Sequence, residues 1–327
     1  MKLWIRFSQF IQKNLIIALP AAMFGGLVFG SLVNPAFLKV WMLPLTFMLV
    51  FPMMVGFDLR QLAQKGTVKL QFAAQFLNFA VFPFIAYGMG LVIFPEEPAL
   101  QAGLLLSALL PTSGMTVTWT GLAKGPVPVA VQLVLVGLIA GTVATPFYMK
   151  ALLGAEISLS LAETLVQMLY VVIVPLFTGA LLRVILIRVQ GKERFEKDTK
   201  PLFPGLSTMA ILLVVFIAIA LRSRIIISQP LQLWSTFWPV AVFYAINFVL
   251  VTLVARRFFE RGHAIALVYG TVMRNLSIAL ALALSFLGEA GGSAALVITW
   301  AYVIQVQGAA WYLKLIDKVL VKTRKAA

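Results

Sequence analysis

Two short polar interruptions in an otherwise apolar chain carry residue types that can recognise a solute. The first is Pro111-Thr112-Ser113-Gly114-Met115-Thr116, a proline and a glycine wrapped in hydroxyls; the second is Gly270-Thr271-Val272-Met273-Arg274-Asn275. Inside a bilayer, an unwound helix is tolerated where its freed amides and carbonyls face protein or a cavity, and solute sites near the midplane are built from such breaks. For the first stretch a simple proline kink packed by its neighbours is the plainer alternative. The chemistry on offer is charge and hydrogen bonding, with no bond-breaking apparatus. The chain has no cysteine, so thiol nucleophiles, disulfides and thiolate metal sites are excluded. Its one histidine, His263, lies beside Arg256, Arg257 and Arg261 in a basic loop and reads as solvated. No enzyme activity, cofactor or metal is expected.

Arg274 is the most informative residue. It falls about ten residues, or roughly 15 Å, from either end of its apolar stretch, too far for its side chain to reach a headgroup layer easily. Burying that charge costs at least about 2.5–3.5 kcal/mol on insertion scales. Every Asp and Glu is expected in a loop or at a helix end, so the compensators left are carbonyls of broken helices, half-helix dipole ends, water or an anion. Two readings stay open: the guanidinium contacts an anionic substrate, or it is a built-in cation that stabilises the meeting of the helices.

Other polar residues gather on the same apolar stretches: Gln75 and Asn78, Gln132, Ser277, and Gln305 with Gln307. Singly, each could serve as an interhelical contact, the commoner role of a lone membrane amide. Together with the two breaks they suggest a lined cavity, and the candidate substrate-binding set is Arg274, Asn275, Thr112, Ser113, Thr116, Gln75 and Gln305. Gly26 with Gly30, and Gly137 with Gly141, have the spacing of close helix packing.

The elements that must hold these residues follow from composition. Hydrophobic residues make up 61% of the 327 positions and charged residues 11%, which leaves too little polar surface for a protein in water. A hydrocarbon core of about 30 Å takes roughly 20 apolar residues per helix. Apolar runs predict ten spans near 15–33, 38–57, 70–94, 99–123, 127–149, 164–187, 203–221, 233–254, 264–287 and 293–313. The net charge of +15 reads as topology signal and not as a nucleic-acid surface. With the amino terminus inside, one face collects most Lys and Arg, and the other receives only Lys39, Lys150, Arg222 and Arg224 together with Glu96, Glu97, Glu156, Glu163 and Glu289. Both termini are therefore expected in the cytoplasm, in a bacterial cytoplasmic membrane; the stretch from Leu15 to Val33 is too long for a signal peptide and is read as the first span.

Spans one and six share a pattern, Leu19-Pro20 before Phe24-Gly25-Gly26-Leu27-Val28 and Val174-Pro175 before Phe177-Thr178-Gly179-Ala180-Leu181. Five helices separate the copies, an odd number, so the second copy is inverted. That predicts two halves, 1–157 and 158–327, in the manner of a secondary transporter with its site at the repeat interface.

The Met48-to-Leu62 stretch ending in Gly56-Phe57-Asp58-Leu59, Ala74-Gln75-Phe76, Pro111 through Leu122-Ala123-Lys124-Gly125, and Met273-Arg274-Asn275 resemble the bile acid:sodium symporter superfamily, which includes the arsenite-efflux permeases. The resemblance implies an all-α membrane protein of ten helices, with a panel domain of helices one, two, six and seven and a core domain in which broken helices four and nine cross. It also implies two sodium sites built from an Asn in helix four, hydroxyls in helix five and a Glu and Gln in helix nine. The matching positions here are Val117, Ala130, Val134, Gly270 and Arg274, leaving only Thr116, Gln75 and Asn275 compatible. A hard cation needs several oxygens, so sodium coupling is not expected and the guanidinium is expected to take over the ion's electrostatic role. The Arg-Asn pair and the Leu-Ala-Lys-Gly run resemble the arsenite branch more closely, although that branch has a functional helix-four cysteine and this chain has none.

The expected function is alternating-access transport of a small organic anion, with a proton or no coupling ion favoured over sodium. The alternatives are arsenite efflux and a membrane sensor that binds a ligand without moving it. The lipid bilayer and the anion are the expected partners.

Overall fold

The computed structural model describes residues 10–11, 14–56, 66–154, 162, 166, 170, 173–228, 231–287 and 291–320. Asp58, Glu156, Glu163, Glu289 and the basic residues of both ends lie outside them. The described residues form helices and no strand. In chain order the helices are α1 (Leu15–Leu32), α2 (Met42–Val55), α3 (Val68–Ile93), α4 (Pro98–Leu109), α5 (Gly114–Leu122) and α6 (Val127–Leu153). They continue as α7 (Val174–Gln190), α8 (Phe203–Ser228), α9 (Leu231–Phe258), α10 (Arg261–Val272), α11 (Leu276–Phe286) and α12 (Gly291–Leu320).

Six of these runs are long and apolar enough to cross a membrane: α3, α6, α8 with the turn before it, α9, α10 and α11 taken together, and α12. A seventh is α4 with α5, which bend by 54° at their junction. The chain is thus a multi-pass helical membrane protein. The stretches predicted near 15–33, 38–57 and 164–187 appear as α1, α2 and α7, of 18, 14 and 17 residues, and the flanks of α2 and α7 fall partly outside the described residues.

Packing sorts the helices into two groups. In one, α8 lies against α1 and α2, and α2 against α7. The fit of α1 to α8 depends on Gly26 and Gly30, where a Cβ would collide with the backbone oxygens of Phe216 and Ala220. Without side chains at these positions the two backbones touch, which is how apolar helices gain dispersion energy in lipid. In the other group α12 packs on α4, α9 and α11, while α3 packs on α4 and α5 on α6 and α10. The groups meet where α12 touches α8 and α1, and where α11 touches α2.

The run α10–α11 is the centre of the molecule: every residue from Ala264 to Ala283 is buried. By contrast α3 turns Phe72, Phe76, Phe84 and Val92 outward, apolar side chains suited to a lipid surround.

Candidate functional site

Both polar interruptions are real helix breaks, and the local sequence explains each. Leu110 precedes a proline, which disfavours the helical conformation, and it adopts φ −104°, ψ 81°. Thr112 then turns the chain with φ 62°, in the left-handed region that costs a non-glycine residue about 1–2 kcal/mol. Ser113 restarts the helix as N-cap of α5, its Oγ accepting from Met115 N at 3.2 Å. In the second break Met273 is extended (ψ 93°), and Asn275 caps α11 with its Oδ1 accepting from Ile278 N at 3.3 Å. The first stretch is therefore an unwound loop and not a proline kink.

The two breaks satisfy each other. Ser113 N donates to Met273 O at 3.0 Å, and Asn275 N donates to Leu110 O at 2.8 Å. Backbone groups left unpaired in an apolar interior cost several kcal/mol each, so this reciprocal pairing lets both helices unwind at one level. Thr116 adds a third tie, its hydroxyl donating to Tyr269 O at 3.1 Å. The Thr112 hydroxyl points the other way, with Pro111 O at 2.7 Å and Val134 O of α6 at 3.2 Å as the acceptors in its reach. Room for it comes from Gly137, where a Cβ would sit 2.7 Å from Thr112 Oγ1, and from Gly141, where a Cβ would lie 3.0 Å from Pro111 Cδ. The glycine pair in α6 accommodates the break itself.

Arg274 has 0% exposure and is the bulkiest fully buried side chain among the described residues. Its backbone is held by Gln305 of α12: Arg274 N donates to Gln305 Oε1 at 2.6 Å, and Gln305 Nε2 donates to Arg274 O at 3.2 Å. Tyr244 of α9 donates to the same Oε1 at 2.9 Å. The guanidinium is held at one end, with Nη1 donating to Ala108 O at 3.0 Å. That carbonyl belongs to the last turn of α4, where the helix dipole is negative and carbonyls lack helical partners. The ring of Phe82 lies 5.0 Å from Arg274 Cζ, a cation–π contact. No ion pair of Arg274 exists among the described residues.

Nε and Nη2 of Arg274 have no hydrogen-bond partner among the described residues, and neither does Nδ2 of Asn275. Nε and Nη2 form the parallel donor fork along one edge of a guanidinium, the edge that grips two oxygens of one anion. Asn78, also fully buried with neither amide atom paired, sits on a π-helical turn of α3 (Leu77–Val81) close in sequence to Phe82. Single π turns recur at functional sites.

Of the residues singled out from sequence, Arg274, Asn275, Thr112, Ser113, Thr116 and Gln305 converge on the breaks. Gln75 is half-buried on α3 and its amide nitrogen is directed to Gln71 Oε1 at 3.4 Å. The residues missed are Phe82, Tyr244 and the carbonyls of Ala108, Leu110 and Met273. Tyr244, a hydroxyl deep in an apolar helix, was a visible signal; backbone carbonyls leave none in a sequence.

A lipid-embedded bundle in which two interrupted helices meet around a buried charge has the architecture of a membrane transporter. The sequence model of the Sodium Bile acid symporter family matches residues 43–229, more than half of the chain, and the protein belongs to that family. Among its relatives, the uncharacterized protein YbaS of Bacillus subtilis is 26% identical over 216 residues, covering 65% of this chain and 68% of that one. The arsenical-resistance protein Acr3 of Alkaliphilus metalliredigens is 24% identical over 260 residues, 71% of each chain. The Acr3 protein of Corynebacterium glutamicum is 21% identical over 231 residues, which span 67% of this chain and 62% of that protein.

Proposed function

We propose that this transporter carries a small organic anion by alternating access, moving the group α3–α6 with α9–α12 against the group α1, α2, α7 and α8. Arg274 and Asn275 bind and orient the anion; Thr112, Ser113 and Thr116 shape the opposing break, Gln305 fixes Arg274, and Gln75 completes the rim. The observation that carries the reading is the fully buried guanidinium of Arg274 with its Nε and Nη2 unpaired and no carboxylate beside it among the described residues. A buried charge of that kind calls for an opposite charge, and two parallel donors favour one with two oxygens.

The sodium suggested by the family's name does not suit this site. A hard cation needs several oxygen ligands and no neighbouring positive charge; here the fully buried guanidinium of Arg274 occupies the junction. Uptake of labelled pyruvate, succinate and benzoate by proteoliposomes, with and without sodium, tests the proposal. Uptake in sodium-free buffer is expected; strict dependence on sodium would overturn the sodium-independence and leave the anion reading standing, and uptake of none of the three would count against the anion reading.

The ten-span count, the two inverted halves 1–157 and 158–327 and the cytoplasmic termini belong to the same proposal. What supports the sidedness is that residues assigned to one face meet one another. Lys69 Nζ donates to Phe258 O at 3.4 Å and Arg261 pairs with Asp317 at 2.5 Å, while Asn34, Ala36, Ser223 and Arg224 line one cavity of about 260 Å³. What supports the repeat is the recurrence of Asn78-Phe79 as Asn247-Phe248 and of Phe147-Tyr148-Met149-Lys150 as Trp311-Tyr312-Leu313-Lys314.

A second reading, extrusion of arsenite, is favoured by the names of the two Acr3 relatives. A chain without cysteine would hold the metalloid by hydrogen bonds alone. Survival of an arsenite-sensitive host expressing the protein decides between the readings.

A further inference from the structure

Asn78 is wholly buried, yet neither its Oδ1 nor its Nδ2 has a hydrogen-bond partner among the described residues. It belongs to the inner stripe of α3, where Ala74, Asn78, Phe82 and Ala86 are each at 0% exposure while Phe72, Phe76 and Phe84 face outward. On a regular α-helix a residue four positions on is rotated by about 40° past a full turn; the wider π-helical turn Leu77–Val81 takes up most of that excess, so Asn78 and Phe82 lie nearly in line. The ring of Phe82 is the one that meets Arg274, 5.0 Å from Cζ. Helix packing places Asn78 at the same level. α3 runs antiparallel to α4 through the turn at Phe94–Glu97, and a Cβ on Gly90 would lie 3.4 Å from Gln101 Cβ. Equal steps along both helices from that contact bring Phe82 level with Leu109, next to the Ala108 carbonyl that holds Nη1, and Asn78 level with Ser113 in the first break. The commoner role of a lone membrane amide is a contact to another helix, and Asn78 makes none among the described residues. A buried amide with its donor and its acceptor both free costs stability, and that cost is offset when a ligand supplies the partners.

We infer, on the carrier reading above, that Asn78 determines specificity by taking a hydroxyl group of the substrate, and that the transported class is small hydroxy monocarboxylates. The carboxylate occupies the Nε and Nη2 fork of Arg274, and the hydroxyl donates to Asn78 Oδ1 and accepts from Asn78 Nδ2. A hydroxyl is the smallest neutral group that does both. A keto oxygen only accepts, so it answers one of the two amide atoms. An unsubstituted alkyl chain answers neither and leaves the amide stranded. A site built to hydrogen-bond a substrate hydroxyl discriminates against the analogue without it, because its own polar groups are then left unpaired.

Binding can be read apart from transport. Wild type and Asn78→Leu are purified in detergent and melted in rising concentrations of lactate, 3-hydroxypropionate, pyruvate or propionate at constant ionic strength. In the wild type, at least one hydroxy acid is expected to reach its half-maximal shift at a concentration at least about tenfold below that of propionate, with pyruvate between them. In Asn78→Leu that ratio falls to about one. Leucine puts apolar bulk where an unpaired amide stood, so without ligand Asn78→Leu is expected to melt no lower than the wild type; should it fail to fold, Asn78→Ala takes its place. Equal half-maximal concentrations for hydroxy acids and propionate in the wild type, a ratio preserved in the variant, or no shift with any of the four would overturn the hydroxyl contact.

Transport is then read in wild-type proteoliposomes given labelled pyruvate or labelled lactate, with unlabelled lactate, 3-hydroxypropionate or propionate as competitor. Uptake inhibited more strongly by a hydroxy acid than by propionate is expected. Uptake inhibited equally by all three would overturn the assignment of Asn78 while leaving the carrier standing. A melting shift that prefers the hydroxy acid, with uptake of neither labelled anion, would overturn the carrier reading and leave the contact at Asn78 intact.

Discussion

The carboxamide of Gln305 grips both backbone polar groups of Arg274, taking its N–H at 2.6 Å and giving an N–H to its carbonyl at 3.2 Å. This is the pairing that a strand neighbour would offer, supplied by one side chain of α12 to a residue that has left its helix. Tyr244, donating to the same Gln305 oxygen at 2.9 Å, ties α9 into the arrangement. A break that would be a weak point in an apolar interior is held by α12 directly and by α9 through it.

Replacing Gln305 by leucine removes this grip while keeping the bulk. Two buried backbone groups lose their partner, each at about 1–3 kcal/mol. A lower melting temperature by differential scanning fluorimetry in detergent is expected, together with lower uptake. An unchanged melting temperature would show that the grip contributes nothing to stability.

Arg274→Lys keeps the charge but gives up the planar fork and its two parallel donors. Anion uptake is expected to show a KM raised by about tenfold or more, the loss of roughly 1.4 kcal/mol of binding. A variant with the wild-type KM would mean that the anion senses only a point charge.

Asn275→Asp separates the two roles of that residue. The carboxylate still caps α11, since the capping contact is an acceptor, the side-chain Oδ1 facing Ile278 N. It also replaces the unpaired Nδ2 donor and places beside Arg274 the negative charge that the described residues lack. Retained folding with uptake abolished is the expected pair of results, read by melting temperature and proteoliposome flux. Full activity would sink the assignment of Arg274 to the anion.

Gly137→Ala sets a methyl 2.7 Å from Thr112 Oγ1. Overpacking of this kind costs about 1–3 kcal/mol, and here it pushes on the first break. Gly137→Ala is expected to lower the melting temperature, and Thr112→Ser, which deletes only the γ-methyl, is expected not to relieve it. Thr112→Ala, which deletes the hydroxyl in the way, restores part of it in the double variant.

Thr116→Val removes the hydroxyl that reaches Tyr269 O at 3.1 Å with little change of shape. A loss of about 1 kcal/mol in stability is expected, measured by thermal melting. A larger effect on flux than on melting would show that the tie between α5 and α10 participates in the moving part of the cycle.

Much of the fold was legible because membranes impose simple rules on a chain. Apolar run length placed α3, α6 and α9 within about four residues and the starts of α8 and α12 within two, although the last two run on to Ser228 and Leu320, seven residues past the expected ends, and Pro111, Gly114 and their hydroxyl neighbours marked the first break. Arg274 drew attention for the same reason, since a charge ten residues from the end of a span has no inexpensive place to go. The spacing of the α6 glycines predicts close helix packing, and it could not reveal that the object packed against Gly137 is the turn at Thr112.

By itself the sequence determined that this chain lies in lipid, where its helices break, and that a positive charge is buried among them. Those conclusions follow from composition and local conformational preference, which each stretch of chain carries alone. Only the tertiary structure decided what meets that residue: a carbonyl from a residue as plain as Ala108 and the ring of Phe82 at its guanidinium, and the amide of Gln305 at its backbone. Backbone carbonyls are present at every position and acquire meaning only when a distant helix ends beside them, so no pattern in one dimension could have named them.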